Sequence, residues 1–139
     1  MSLWCLGIKR GDEVITSPIS FIASVSSIIH VGAKPVFVDI GEDLNMNPDL
    51  IEKAITNKTK AILPVHWTGR ICDMDKICKI AKQYNLKVIE DSAQGMGAFY
   101  KKKHAGTFGD IAAFSTHPLK NLNGLGDGGF ITTNKKTLY

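Results

Sequence analysis

The sequence is poor in the features that mark most specialised classes of protein. It has three cysteines in 139 residues, Cys5, Cys72 and Cys78, and their spacing fits neither a disulfide framework nor a zinc site. We therefore expect reduced thiols, no bound metal and a protein of the cytoplasm. No apolar run is long enough to span a membrane, and no signal peptide is recognisable, so we expect no membrane partner.

An excess of one charge is also lacking. The 17 basic and 13 acidic residues give a net charge of +4, and the basic residues alternate with acidic ones. A solvated turn between two strands explains the lysine run at 101–103, so we predict no nucleic-acid partner. The remaining composition, with 44% hydrophobic and 22% charged residues, is typical of one globular domain that can bury a core.

Short apolar runs alternate with segments of helical periodicity along the chain. We predict strands at residues 14–16, 35–40, 60–65, 87–90, 98–103, 111–115 and 130–133. Helices are predicted at 21–30, 48–55 and 73–84, with Asn47 and Asp73 as N-caps. Residues 6–10 suggest the end of a helix, and residues 137–139 the start of another. This alternation predicts an α/β fold with a mainly parallel sheet and flanking helices.

Polar residues follow two of the predicted strands. Asp91 follows the strand at 87–90, Ser115 closes the strand at 111–115, and Lys120 lies five positions later (120 − 115 = 5). Singly, they are typical of a helix cap, an ordinary strand end and a solvated surface charge. Ligands of parallel sheets bind beyond the carboxyl ends of the strands, so the three side chains are expected in one site. A lysine, an acid and a hydroxyl together suit pyridoxal phosphate (PLP), which needs a Schiff-base lysine, a carboxylate for its ring nitrogen and phosphate donors.

The glycine-rich segment at 124–129 fits the letters of the dinucleotide-binding motif G-x-G-x-x-G. That motif must follow a strand and open a helix, whereas this segment precedes the strand predicted at 130–133. We therefore interpret it as a tight turn beside the site.

Seven segments together resemble the DegT/DnrJ/EryC1/StrS aminotransferases, which are fold-type-I PLP enzymes. The similarity runs in register from about residue 6 to the last residue, through segments 11–15, 36–39, 64–66, 90–94, 109–110, 114–115 and 117–121. It implies the large domain of the fold-type-I transferases and a homodimer with sites at the subunit interface. It also implies amination of a nucleotide-linked keto sugar, usually with glutamate as donor, in lipopolysaccharide or other amino-sugar biosynthesis.

Matched position by position, the resemblance implies a role for each candidate residue. Lys120 resembles the Schiff-base lysine that also moves the proton, and Asp91 resembles the pyridinium partner 29 positions earlier (120 − 91 = 29). Gln94 resembles a glutamine near the ring oxygen, and Ser115 resembles a phosphate-binding hydroxyl. Phe21 resembles an aromatic that stacks on the ring, although packing against its own helix is a second interpretation.

His66 resembles a strand-end histidine near the site, and it has two equally good interpretations, a substrate contact and a satisfied core histidine. Dehydratase relatives carry a histidine in place of the lysine, so Lys120 favours transamination, and His117 is interpreted as a loop residue. Three alternatives stay open: a PLP-dependent dehydratase, a relative that aminates a cyclitol or an aromatic precursor, and an inactive remnant that keeps only the fold.

The resemblance also implies boundaries. We expect residues 4–139 to form part of the large PLP-binding domain, truncated at both ends, and residues 1–3 could be a leader. The family's Ser-Gly-Thr-type phosphate loop and its C-terminal small domain have no counterpart in this sequence. We therefore expect the chain to bind PLP weakly or not at all, to show no useful turnover, and to self-associate through exposed edges.

Overall fold

The computed structural model describes residues 1–138, which form a six-stranded sheet and a separate small hairpin. The sheet contains β1 (Glu13–Thr16), β2 (Lys34–Phe37), β3 (Thr59–Leu63) and β4 (Lys87–Asp91). The hairpin consists of β5 (Phe99–Tyr100) and β6 (Lys103–His104), and the sheet is completed by β7 (Ile111–Ser115) and β8 (Gly129–Thr132).

The strand order in the sheet is β2-β1-β3-β4-β7-β8. The first five strands are parallel, and β8 runs antiparallel to β7. This arrangement confirms the predicted α/β fold with a mainly parallel sheet. All five parallel strands end at the same edge, so the loops that follow β1, β3, β4 and β7 meet there.

Helices cover both faces of the sheet. The helices are α1 (Ser2–Cys5), α2 (Ile22–His30), α3 (Ile51–Ala54) and α4 (Met74–Gln83), with 3₁₀ turns at Pro48–Leu50, Trp67–Gly69 and Lys136–Leu138. The two predicted caps are confirmed, because Asn47 accepts a bond from the backbone N–H of Asp49 and Asp73 one from that of Lys76.

Each face of the sheet has its own apolar core. One core joins α3 and α4 to the sheet through fully buried side chains such as Ile51, Ile62 and Ile77. The other joins α1 and α2 to the sheet and includes Leu3 and Ile28. Alternating side chains of β4 point to opposite faces, which sends Ile89 to the second core and Val88 to the first.

Two predicted elements differ from the structure. The single strand predicted at 98–103 is a hairpin, because Lys101 and Lys102 adopt positive φ angles of 47° and 68° and reverse the chain. The helix end predicted at 6–10 lies earlier, since α1 ends at Cys5 and Gly7 takes a φ of 76°.

The two ends of the chain have separate outcomes. Residues 2 and 3, set apart in the sequence analysis, belong to α1, and Leu3 is buried. The helix start predicted at 137–139 corresponds to the 3₁₀ turn Lys136–Leu138, and its last residue lies outside the described residues. Within residues 1–138, no helix has the length and apolar composition needed to cross a membrane.

Candidate active site

The carboxyl ends of β3, β4 and β7 open onto one cavity of about 830 Å³. The first turn of α2 and the start of α1 complete its wall. All six residues predicted for the site line this cavity: Phe21, His66, Asp91, Gln94, Ser115 and Lys120. Segments up to about 100 residues apart in sequence are thus brought together by the parallel sheet, as expected for ligand sites in such folds.

Both carboxylate oxygens of Asp91 accept hydrogen bonds from the protein. Ser24 Oγ donates to Oδ2 at 2.6 Å, and the backbone N–H of Ala93 donates to Oδ1 at 3.1 Å. Ser24 in turn lies 2.5 Å, Oγ to Oγ, from Ser20. Neither serine was predicted for the site, because a serine in a helix pattern gives no signal of a partner 67 positions away.

Gln94 is tied to the 3₁₀ turn Trp67–Gly69. The backbone N–H of Thr68 donates to Gln94 Oε1 at 2.6 Å, which identifies this atom as the amide oxygen. Thr68 has a φ of 54°, a conformation that costs a non-glycine residue free energy. The side-chain NH₂ group of Gln94 is therefore the end left to interact with a ligand in the cavity.

Ser115 and Lys120 belong to one tight loop after β7. The hydroxyl of Ser115 accepts a bond from the backbone N–H of His117 at 3.2 Å, and Lys120 N–H donates to the carbonyl of His117 at 2.8 Å. The Lys120 side chain is half-buried, and its ammonium forms no ion pair with any residue in the described part of the chain.

The glycine-rich segment folds back along the end of β7. The backbone N–H of Thr116 donates to the carbonyl of Gly128 at 2.8 Å, and the Thr116 carbonyl accepts from the N–H of Gly124 at 2.7 Å. A Cβ atom at Gly129 would overlap the carbonyl oxygen of Phe114, so only glycine fits there. The segment leads directly into β8 and opens no helix, as predicted, and its Asp127 lines the cavity; it is an open bend and not a tight turn.

Phe21 stands at the N-cap position of α2 and lines the cavity with a side chain that is 69% exposed. A ring this exposed is not packed against its own helix. The structure therefore favours the first of the two interpretations, in which the ring is available to a ligand.

His66 lies at the floor of the cavity with a fully buried side chain. Its Nδ1 accepts a bond from the backbone N–H of Cys72 at 3.4 Å, so the ring proton lies on Nε2 and points to Glu90 Oε2 at 3.0 Å. Both ring nitrogens are thus occupied by the protein, which favours the interpretation of His66 as a satisfied core histidine.

The buried carboxylate of Glu90 is the hydrogen-bond acceptor of His66. Its carboxylate also accepts backbone N–H bonds from Gly106 at 2.7 Å, Phe108 at 2.8 Å and Gly109 at 2.6 Å. Burial by itself raises the pKa of Glu90, but the bonds from His66, Gly109 and Gly106 outweigh it, and the pKa lies below its ordinary value. Glu90, the residue before Asp91, thereby holds the loop before β7 through the backbone of residues 106–109.

The family model for the DegT/DnrJ/EryC1/StrS aminotransferase family matches residues 1–139. The chain belongs to this family. Its membership confirms the resemblance and the fold-type-I assignment, since solved structures of family members superpose on nearly the whole chain. The aminotransferase from Psychrobacter cryohalolentis does so with a TM-score of 0.96 and 46% identity, covering 99% of this chain and 35% of that protein.

Other members of the family carry more specific names. GDP-perosamine synthase of Escherichia coli O157:H7 is 50% identical over 100% of this chain and 38% of its own length. NtdA from Bacillus subtilis, solved with bound cofactor PMP, has a TM-score of 0.91 at 43% identity, covering 98% of this chain and 31% of that protein. The chain therefore spans little more than a third of the length of the relatives it matches.

The residues in the cavity fit the cofactor of such a family. Four groups line the same space: a half-buried lysine without an ion pair among residues 1–138, a carboxylate held by two donors, a strand-end hydroxyl and an exposed aromatic ring. They belong to Lys120, Asp91, Ser115 and Phe21. A volume of about 830 Å³ lies within the range of small-molecule and cofactor sites.

Proposed function

We propose that this chain carries the cofactor site of a PLP-dependent aminotransferase that transfers an amino group to a nucleotide-linked keto sugar. The observation that carries the proposal is the single cavity shared by Lys120, Asp91, Ser115, Gln94 and Phe21. The names of relatives support the substrate class. GDP-perosamine synthase of Escherichia coli O157:H7 is one, and the UDP-N-acetyl-3-dehydro-alpha-D-glucosamine 3-aminotransferase of Acidithiobacillus ferrooxidans, 46% identical, is another.

Bound PLP supplies an electron sink that makes a proton next to the substrate nitrogen easier to remove. Asp91 offers an anionic oxygen to the pyridinium nitrogen and keeps its proton in place. Lys120 would hold the cofactor covalently, and its Nζ atom would accept and return the proton once it is free. The absence of an ion pair at Lys120 within residues 1–138 leaves Nζ available for both tasks.

The other side chains orient the ligand and exclude water. Phe21 presents a ring face for stacking, a contact worth about 0.5–1.5 kcal/mol beyond the burial of its area. Ser115 contributes a hydroxyl for the phosphate, and Gln94 directs an NH₂ donor toward the oxygen substituent of the ring. His66 has no role as a substrate contact in this proposal, because both of its nitrogens are engaged beneath the cavity.

We further propose that glutamate is the amino donor, that the protein acts in the cytoplasm in amino-sugar or lipopolysaccharide biosynthesis, and that it works as a homodimer. Exposed apolar side chains at the cavity mouth support coverage by another subunit or domain. Leu119 lines the cavity and is 88% exposed, and Leu122 and Leu125, which follow it in the same loop, are also exposed. Light scattering tests the dimer, and a monomer across the micromolar range would contradict it.

Reductive trapping tests the cofactor site. The chain is mixed with PLP, reduced with borohydride and mapped by mass spectrometry. Reduction is irreversible, so it detects even the weak occupancy that we expect for this chain. We expect the pyridoxyl label predominantly on Lys120, with loss of that label in Lys120→Arg and a strong decrease in Asp91→Asn.

A matched control comes from a lysine outside the cavity. Lys60→Arg, an exposed residue of β3, should leave the labelling unchanged. A label spread evenly over the lysines would reject the proposed site and favour the inactive remnant. Addition of glutamate to the PLP-loaded protein tests the first half of transamination, because transfer of the amino group to the cofactor releases 2-oxoglutarate from glutamate.

A further inference from the structure

Two serines form a hydrogen-bonded chain that ends at Asp91. Ser24 Oγ donates to Asp91 Oδ2 at 2.6 Å, and Ser20 Oγ lies 2.5 Å from Ser24 Oγ. Ser24 is 4% exposed, and both serines line the cavity. These hydrogen bonds thus connect the first turn of α2 to the end of β4, two elements that are not neighbours in the sequence.

The direction of this chain follows from counting protons. A hydroxyl has one proton to donate, and an ionised carboxylate only accepts. Since Ser24 gives its proton to Asp91, the contact between the serines is one in which Ser20 donates to Ser24. Both hydroxyl dipoles therefore point toward the carboxylate, and hydrogen bonds aligned in this way polarise and strengthen one another.

The second oxygen of Asp91 is held from another direction. The backbone N–H of Ala93 donates to Oδ1 at 3.1 Å. The terminal torsion of an aspartate has a broad energy minimum, so a carboxylate without such partners rotates easily. Donors on both oxygens, one from α2 and one from the loop after β4, restrict this rotation. Each oxygen keeps a further lone pair for a ligand.

We propose that Ser24, supported by Ser20, is a positioning residue that fixes the plane of the Asp91 carboxylate toward the protonated ring nitrogen of the cofactor. The inference rests on the proposed function, because PLP is the ligand whose nitrogen Asp91 serves. Ser24 acts through Asp91 and does not itself contact the ligand. A threonine at this position keeps the hydroxyl and is the conservative replacement, whereas alanine removes the donor.

A mutant cycle without cofactor tests the hydrogen bond itself. Urea denaturation of the wild type, Ser24→Ala, Asp91→Ala and the double variant gives four unfolding constants. We expect the double variant to differ by about tenfold from the product of the single effects, as for a hydrogen bond to a charged group. Effects that multiply without coupling would overturn the proposal. Ser20→Ala, a milder change, should reduce the coupling between Ser24 and Asp91, and Ser24→Thr should fold with wild-type stability.

Cofactor titrations test the positioning role. We expect Ser24→Ala to weaken PLP binding by about tenfold and Ser24→Thr by less than about twofold. The control ligand is 1-deaza-PLP, in which a CH group replaces the ring nitrogen. Because this ligand makes no bond to Asp91, its affinity should be the same in the wild type and Ser24→Ala. An equal loss for both ligands would show that Ser24 only packs the helix, and would refute the positioning role.

The two tests fail independently of each other. If the wild type binds neither ligand, the proposed function fails for this chain, while the cofactor-free cycle still decides whether Ser24 holds Asp91. If PLP binds and labels Lys120 but the cycle shows no coupling, the proposed function stands and the role of Ser24 is rejected.

Discussion

Replacement of Glu90 by glutamine should destabilise the protein far more than its small change in shape suggests. The buried carboxylate accepts four hydrogen bonds, from His66 Nε2 and from the backbone N–H groups of Gly106, Phe108 and Gly109. A glutamine side chain has one oxygen and one NH₂ group. If the glutamine oxygen accepts the bonds from the N–H groups of Phe108 and Gly109, the NH₂ group faces two further donors, Gly106 N–H and His66 Nε2–H.

The cost follows from those two donors. Gly106 N–H loses its acceptor, and His66 can adapt only by moving its proton to Nδ1, which breaks the bond from the N–H of Cys72. Each unsatisfied buried donor costs about 1–3 kcal/mol, so Glu90→Gln should lower the free energy of unfolding by about 2–6 kcal/mol. This is a large part of the roughly 5–15 kcal/mol that holds a typical domain together.

Urea denaturation followed by tryptophan fluorescence measures the effect at neutral pH. Glu42→Gln is the matched control, because Glu42 is exposed, and its effect should stay within about 0.5 kcal/mol. A loss below about 1 kcal/mol in Glu90→Gln would refute the reasoning, since the four bonds would then contribute almost nothing net.

The lowered pKa of Glu90 also predicts how the effect of the substitution on stability changes with pH. The pKa of Glu90 is lowered from an ordinary value of 4.5, so the folded state binds fewer protons than the unfolded state below that pH. The stabilisation by Glu90 is fully present above pH 4.5 and is lost as the pH falls through the lower pKa of the folded state. The stability difference between wild type and Glu90→Gln should therefore shrink on acidification below 4.5, and a constant difference would contradict the assignment.

Three further predictions concern the loop before β7, the cavity and a helix cap. Gly106→Ala should lower the free energy of unfolding by about 2–4 kcal/mol, because Gly106 has a φ of 82° and an added Cβ would lie 2.6 Å from the ring of Phe114. The control is Gly97→Ala, which should lower it by only about 1–2 kcal/mol, because Gly97 has a similar φ of 81° but open space around it. Phe21→Ala should leave the urea midpoint unchanged while PLP affinity falls about two- to tenfold, as loss of a stacking contact requires. Asp73→Ala should lower the free energy of unfolding by about 1–2 kcal/mol, because Asp73 Oδ1 accepts both the α4 cap bond from Lys76 N–H and a bond from the Tyr100 hydroxyl. An unchanged midpoint would contradict a net contribution from these bonds.

The alternating pattern of the sequence was sufficient for the layout of the sheet. Short apolar runs predicted β1, β3, β4 and β7 close to their observed bounds, because a parallel strand that is buried on both faces is apolar at consecutive positions. The helical pattern predicted α4, because an amphipathic helix repeats its apolar residues every three to four positions. The turn between β5 and β6 was predicted from the lysine run at 101–103, but the strand predicted at 98–103 was wrong because it runs through that turn. Lysine at positive φ is uncommon, so the residue types did not reveal where the first strand ends.

The sequence predicted those residues of the site that have a suitable chemical type and lie at the end of a strand. Asp91, Ser115 and Lys120 follow strands, and the sheet brings them to one cavity. Ser24 and Glu90 were missed because their importance lies in contacts with distant residues. A serine inside a helix and a glutamate inside a strand have ordinary sequence patterns, and only the tertiary structure reveals the Asp91 bond of one and the four donors of the other.

The strand order also determines when the chain acquires its site during folding. β1 lies between β2 and β3, and β4 pairs with β7 across the inserted hairpin, so few pairings in the sheet are local. Contacts between distant segments form slowly, since the entropy of closing long loops is lost before the contacts form. Ser24 and Asp91 meet across 67 positions, and Lys120 comes from the segment beyond β7. The cavity therefore exists only in chains in which these distant segments have come together, and a ligand that recognises it stabilises the native chain alone, by mass action.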